Sequence, residues 1–350
     1  MWHSTRSAAG SAALSVALSA ALGFALAAAL GGAPAYATDP SATPAARDVV
    51  GVGSDTAQDV MELKSTTLAK SGYSAGYNAT KPANLLWGFD ASGSAKITPK
   101  KGCAAIARPN GSGAGITAVK ADEAAKKHCV DYARSSRPKN AATDGDLLFV
   151  PYARDGVSWA AFPASGATFH APANLTTAQL TQVYTCAVTN WNQVGSANAP
   201  IAAYLPQATS GTRAFFLGAI GVTSPGACVK QPSTLEENSG AGIPAADRPN
   251  AILPYSIARW IAQKKGVSKD NRAAAVLRNV DGKAPLTSAG ALNSGFAPAY
   301  LRLIYNVLKP ADKGSAAFSK VFARSGYLCT HPAVAATFGF AALSASSCGY

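Results

Sequence analysis

Asp48-Val49-Val50-Gly51-Val52-Gly53-Ser54-Asp55-Thr56 holds the pattern from which the architecture follows. Its valines suit a short buried strand, because branched side chains pack well on a pleated surface. Gly51 and Gly53 let the chain enter a tight turn. Ser54, Asp55 and Thr56 are residue types that cap helix starts. From Thr56 onward, Ala57, Val60, Met61 and Leu68 predict a helix with one apolar face. A buried strand feeding a helix is the repeating unit of α/β proteins.

The alternation continues along the chain. Asn84 to Phe89 reads as a strand, and Ile116 to His128 as a helix with Ile116, Val119 and Ala124 inward. Two apolar runs, Leu147 to Tyr152 and Val157 to Phe162, flank Asp155-Gly156, which predicts a hairpin. Thr176 and Gln179 form a capping box, and Leu180, Val183, Tyr184 and Ala187 follow at helical spacing. Thr209 or Ser210 opens a helix carrying Phe215 and Phe216. Ile252-Leu253 ends a strand, and Ser256 caps a helix with Ile257, Trp260 and Ile261 on its face, stopped by Gly266. Leu301 to Leu308 is strand-like, and Phe318, Val321 and Phe322 mark a late helix. The fold class is α/β.

The amino terminus differs from the rest. His3 and Arg6 precede an apolar run from Ser11 to Leu30, which ends at Ala35-Tyr36-Ala37. A basic start, an apolar middle and a small-residue cut site read as a secretory signal peptide over residues 1–37. The alternative is an uncleaved anchor, since the run is long enough to span a bilayer. Residues 38–47 read as a flexible Ala/Pro-rich leader. No cysteine near the cut suggests a lipid anchor, and no later segment is apolar enough to cross a membrane.

Of the 350 residues, 31 are Lys or Arg and 18 are Asp or Glu. Removal of Arg6 with the signal leaves a mature net charge of +12, which favours anionic partners. The basic residues are scattered, and Lys126-Lys127 and Lys264-Lys265 are isolated pairs. Nucleic-acid binding needs clustered cations interleaved with exposed aromatics, so it is not expected. The six cysteines, Cys103, Cys129, Cys186, Cys228, Cys329 and Cys348, form an even set in an exported chain and argue for disulfides. Sequence alone does not choose among the pairings. Neighbour pairing is favoured because each bridge then closes a local loop.

Three clusters could hold an anion. They are Gly51-Val52-Gly53-Ser54-Asp55-Thr56, then Arg134-Ser135-Ser136-Arg137-Pro138, then Thr209-Ser210-Gly211-Thr212-Arg213. Each joins hydroxyls and small residues near a chain turn. At a helix start, free N–H donors and the helix dipole both favour negative charge. Each cluster alone is also explained as an ordinary cap.

Leu175-Thr176-Thr177-Ala178-Gln179-Leu180, continuing to Thr189-Asn190-Trp191-Asn192 and then Ser210-Gly211-Thr212, resembles a segment of the phosphate-binding solute receptors of ABC transporters. Val130-Asp131-Tyr132-Ala133-Arg134-Ser135-Ser136-Arg137-Pro138 resembles a ligand loop of the same family. The resemblance implies a two-lobed type 2 periplasmic-binding-protein fold with crossing hinge strands. It places the crossings near Val150–Val157 and Leu253–Ser256, with residues 48–152 and 257–350 in one lobe and 153–256 in the other. It implies Ser54, Thr56, Ser135, Ser210, Gly211 and Thr212 as ligand donors. Two positions depart from the pattern: the family's ligand aspartate is Ser136 here, and its arginine is Pro206. Arg134 or Arg213 is expected to supply a cation, and Asp55 an acceptor. Asn238 sits where the family has a loop facing the cleft, but it also reads as part of a solvated loop. The expected partners are a small anion, phosphate or another oxyanion, and an ABC permease, with the protein itself a monomer outside the cell; the alternative within this reading is an extracellular binding protein with no transport role.

An enzyme reading competes. Gly72-Tyr73-Ser74-Ala75-Gly76 matches the G-x-S-x-G nucleophile elbow, with His128, His170 and His331 downstream. That elbow needs a strand directly before it, and here a helix end precedes it. Gly51-Val52-Gly53 is half of a dinucleotide fingerprint. No metal-ligand spacing occurs, so no cofactor, metal or catalytic activity is expected.

Overall fold

The computed structural model describes residues 39–65 and 67–350. The expected signal peptide lies outside the described residues. Strands are β1 (Val49–Gly53), β2 (Leu86–Gly88), β3 (Lys96–Ile97), β4 (Ile106–Ala107), β5 (Tyr132–Ser135), β6 (Leu148–Ala161), β7 (Asn174–Leu175), β8 (Ala202–Ala203), β9 (Ala251–Ser256), β10 (Val276–Leu277), β11 (Asn279–Val280), β12 (Leu301–Leu308) and β13 (Ala341–Ala342). Helices are α1 (Gln58–Glu62), α2 (Tyr73–Ala79), α3 (Gly111–Ala124), α4 (Thr177–Tyr184), α5 (Gly211–Ala219), α6 (Ile257–Lys264), α7 (Ala316–Phe322), α8 (Tyr327–Thr330) and α9 (Pro332–Thr337).

The central sheet runs β2-β1-β5-β12-β6-β9-β8. β1 pairs in parallel with β2 and β5, as crossover connections require. β12 returns antiparallel between β5 and β6. The 14-residue β6 joins two halves of the molecule. Its first part, Leu148 to Gly156, pairs with β12, and its last part, Val157 to Ala161, pairs with β9.

Strand alternation sorts the side chains of the first half into two cores. Val49 packs with Met61, Tyr132 and Phe322 on one face. Val50 and Val52 pack with Ile116, Val119 and Val307 on the other. A separate core in the second half gathers Trp159, Trp191, Tyr184, Phe216 and Leu253. Helix α6 straddles the two halves, with Ala258 and Ala262 in the first and Ile257, Trp260 and Ile261 in the second. Residues 275–300 were expected with the first lobe, yet Ala275, Leu277, Val280, Phe296 and Tyr300 complete the second core.

Three local expectations differ. Asp155-Gly156 makes no hairpin: the chain runs straight through it within β6. Asp155 is fully buried, and its carboxylate accepts from Arg302, Ser256 and the Ala258 amide, so it is committed to tertiary partners rather than to a turn. The helix after Ser54 starts as a 3₁₀ turn, Asp55–Ala57, and ends at Glu62, leaving Leu68 exposed. There the chain doubles back, and the Gly72 amide donates to the Leu63 carbonyl. Helix α3 begins at Gly111, five residues before the expected start. All three cysteine pairs are neighbours in sequence: Cys103–Cys129, Cys186–Cys228 and Cys329–Cys348.

Candidate functional site

Four chain segments converge where the sheet meets the second half. They are the Ser54–Ala57 turn after β1, the start of α3, the end of β5 and the start of α5. Gly53 makes the first turn possible. It lies at φ +110°, and a Cβ there would stand 2.8 Å from the Arg134 carbonyl oxygen. Ser54 then donates its amide to that carbonyl, and its hydroxyl proton is shared between Ser136 Oγ at 3.0 Å and a second, longer acceptor, Glu237 Oε2. The Ser136 amide donates to Ser112 Oγ at 3.0 Å, which fixes the start of α3. Ser210 caps α5 through the Arg213 amide. A Cβ on Gly211 would collide with Ser112 Oγ and Ser136 Oγ, so only glycine allows this approach.

The two clusters expected to clamp a ligand do meet. Thr56 Oγ1 and Thr212 Oγ1 lie 3.0 Å apart, both fully buried. Between them and the amides sits a carboxylate of the chain itself. Glu237 Oε2 accepts from Thr56 Oγ1 at 2.6 Å, and from the Thr56 amide, Ser54 Oγ and Thr212 Oγ1 at 3.4 Å each. Glu237 Oε1 accepts from the Gly211 amide at 2.7 Å. Every one of these partners is a donor, as an acceptor-only carboxylate demands.

The cation beside this cradle is Arg302, on β12. Its Nη2 donates to Thr212 Oγ1 at 3.1 Å and to Asp155 Oδ2 at 2.8 Å, and its Nη1 donates to the Ser136 carbonyl at 2.8 Å. Thr56 commits its proton to Glu237, so Thr212 is the donor in the Thr56–Thr212 pair, and its one proton is shared between Thr56 Oγ1 and Glu237 Oε2. Neither sequence candidate occupies this place. Arg134 is buried behind β1, where it donates to the Phe89 carbonyl at 2.6 Å and pairs with Glu62 at 3.3 Å. Burial raises the Glu62 carboxyl above its usual range, and Arg134, Tyr132 and Ser74 oppose the rise. Arg213 turns away to the Pro206 carbonyl and Gln231. Ser135 is spent on Arg137 backbone groups.

Asp55 lies beside the cradle rather than in it. Asn238 Nδ2 donates to it at 3.5 Å, and Arg259 stands 3.8 Å away. Burial pushes its carboxyl up to about 8; Arg259 opposes this, and Glu237, Asp59 and Glu236 add to it. Asn238 is not solvated. It is fully buried at φ +55°, donates to Thr56 Oγ1 at 2.9 Å, and accepts from the Ser256 amide and Tyr255. Asparagine tolerates this left-handed backbone better than most residues.

Sequence reading missed Ser112, Glu237 and Arg302. Arg302 had a signal: a charge inside the apolar run Leu301 to Leu308 must find a buried partner. Glu237 had none, since Glu236-Glu237-Asn238 looks like any solvated acidic loop.

The Gly72–Gly76 motif lies at the start of α2, after a 3₁₀ turn and no strand. Ser74 Oγ donates to the Met61 carbonyl at 2.7 Å and reaches Glu62. Among the described residues no histidine bonds to it: His170 pairs with Asn250, His331 stacks on Tyr327, and His128 faces Asp312. Among the described residues, no group of three His, Cys, Asp or Glu is placed to hold a metal, and no helix is long and apolar enough to cross a membrane.

A family model described as a PBP superfamily domain matches residues 38–323. The chain belongs to this family. Solved structures with the same fold include a putative phosphate ABC transporter substrate-binding protein with bound phosphate from Clostridium perfringens. It is 17% identical, with a TM-score of 0.57, over 85% of this chain and all of that one. An ABC-type phosphate transport receptor from Vibrio cholerae is 18% identical, with a TM-score of 0.52, over 85% of this chain and all of that one. No curated protein matches. At these identities the likeness establishes the fold, a two-lobed α/β architecture of the type 2 periplasmic-binding-protein kind.

Proposed function

We propose that this PBP-family chain is a solute-binding protein exported after cleavage near Ala37, and that it holds a small anion between its lobes for uptake by an ABC permease. The observation that carries the reading is the donor set at the lobe junction. Ser54, Thr56, Gly211 and Thr212 turn amides and hydroxyls onto one carboxylate, with Arg302 behind them. Such preorganised donors are worth roughly 1.5–3 kcal/mol each to a charged partner. The hinge in this reading is β6 with β9, and closure brings Thr56 onto Thr212. Phosphate-binding proteins share the fold, which makes phosphate and sulfate the first ligands to test.

A thermal-shift screen against phosphate, sulfate and small carboxylates is the test, since a ligand that binds only the folded state raises its stability. At least one anion should raise the melting temperature. Thr212→Val and Arg302→Gln should each weaken its binding about tenfold or more, as loss of one charge-assisted bond predicts. Anion shifts unchanged in both variants would put the ligand elsewhere. The hydrolase reading is checked in parallel. Ser74→Ala should leave anion binding intact, whereas an esterase activity abolished by that change would revive the enzyme reading.

A further inference from the structure

Glu237 stands where an incoming anion would have to sit. Its carboxylate takes the Gly211 amide, the Thr56 amide and the Thr56 and Thr212 hydroxyls, and it is 2% exposed. The flanking residues hold it there. Glu236 accepts from Asn110 Nδ2 at 2.8 and 3.0 Å on one side. Asn238 is fastened on the other side through Thr56, Ser256, Tyr255 and Gln263. A side chain clamped at both neighbours loses little further freedom on docking, so its effective concentration at the cradle is high.

We propose that Glu237 is a tethered anion that occupies the binding cradle of the closed protein, and that a free oxyanion or carboxylate binds only by displacing it. The proposal rests on the reading of the cradle as the ligand site. It deepens that reading by naming what the ligand competes with. The donors toward Glu237 suit any acceptor-only anion, so the displacing class is a small oxyanion or carboxylate. Two contacts that cross the lobe junction, Asn110 with Glu236 and Thr56 with Glu237, would have to be released together when Glu237 leaves. The acidic loop is therefore a latch as well as a mimic of the ligand.

The test compares the native chain with Glu237→Ala and Glu237→Gln at pH 7, using calorimetry with inorganic phosphate, sulfate and acetate. Removal of the tethered competitor should raise affinity for at least one probe tenfold or more in both variants. Acetate should raise the melting temperature of Glu237→Ala, by refilling the vacated donors, and should leave the native protein unchanged. Should Glu237→Ala fail to fold, Glu237→Gln decides alone, because the amide keeps the shape and removes the charge. Adding Thr212→Val to either variant should abolish the gain. Equal affinity in native protein and variants, still sensitive to Thr212→Val, would overturn the tether and leave the cradle standing. No binding of any probe in any variant, with no rescue by acetate, would overturn both.

Discussion

At the residue scale, the acids packed at the lobe junction set a pH dependence. The Asp55 carboxyl is raised to about 8, chiefly by burial, against an ordinary value of 3.8. A raised carboxyl binds its proton more tightly in the folded state than in the unfolded one. Its contribution is then fully present below about pH 4 and is lost as pH rises through about 8. Denaturant titrations between pH 5 and 9 should show stability falling toward the alkaline end. Asp55→Asn should flatten that slope; an unchanged slope would mean the carboxyl is not held this way. Other acids shift in both directions, Glu236 upward by burial and Asp144 downward because burial is outweighed by Arg137 and the Asn140 amide, so the comparison between native protein and variant isolates Asp55. Arg134 illustrates how residue type can mislead. A cation in a loop that resembles a ligand loop invites a ligand role, but alternation along β5 turns it onto Glu62 rather than toward the Glu237 carboxylate. The cradle's cation comes instead from β12.

At the element scale, the site depends on how closely helix starts approach one another. The starts of α3 and α5 meet the end of β5 across Gly211, with no room for a Cβ beside Ser112 and Ser136. Gly211→Ala should cost about 1–3 kcal/mol through overpacking, read as a lower denaturation midpoint. The same variant should weaken any anion that uses the Gly211 amide, because that amide must move. A stable, fully binding Gly211→Ala protein would show that the start of α5 can shift without loss. Elsewhere elements behave as their own sequences direct. Thr176 and Gln179 close a reciprocal capping box on α4, and Ser256 caps α6 through the Arg259 amide.

At the scale of the whole molecule, three disulfides each tie down a local loop. Each bridge joins cysteines 19 to 42 residues apart. None of them links the Ser54 turn to the Ser210 helix start, so the proposed hinge would meet no disulfide there. Thiol titration of the unfolded, unreduced protein should find no reactive group. Two reactive thiols or more would contradict the full set. Reduction should then lower stability by roughly 2–4 kcal/mol for each bridge on chain-entropy grounds.

The α/β class, the caps of α4, α5 and α6, and the strand at Leu301–Leu308 could be read from sequence because each depends on neighbours within a turn or two. Hydrophobic period, capping chemistry and glycine position are local properties. So were the two halves of the cradle, since Thr56 and Thr212 each announce themselves at a helix start. The short α1, the uninterrupted β6 and the commitment of Asp155 were decided by partners more than a hundred residues away or by chain reversal, which no local pattern encodes. The same holds for the cradle's charges. Arg302 reaches Thr212 across 90 residues, and Glu237 reaches Thr56 across 181. Burial turns an acidic loop that reads as solvated into the acceptor for the Thr56 and Gly211 donors. That outcome needs the whole fold, because only there do the Thr56 and Gly211 donors reach the same carboxylate.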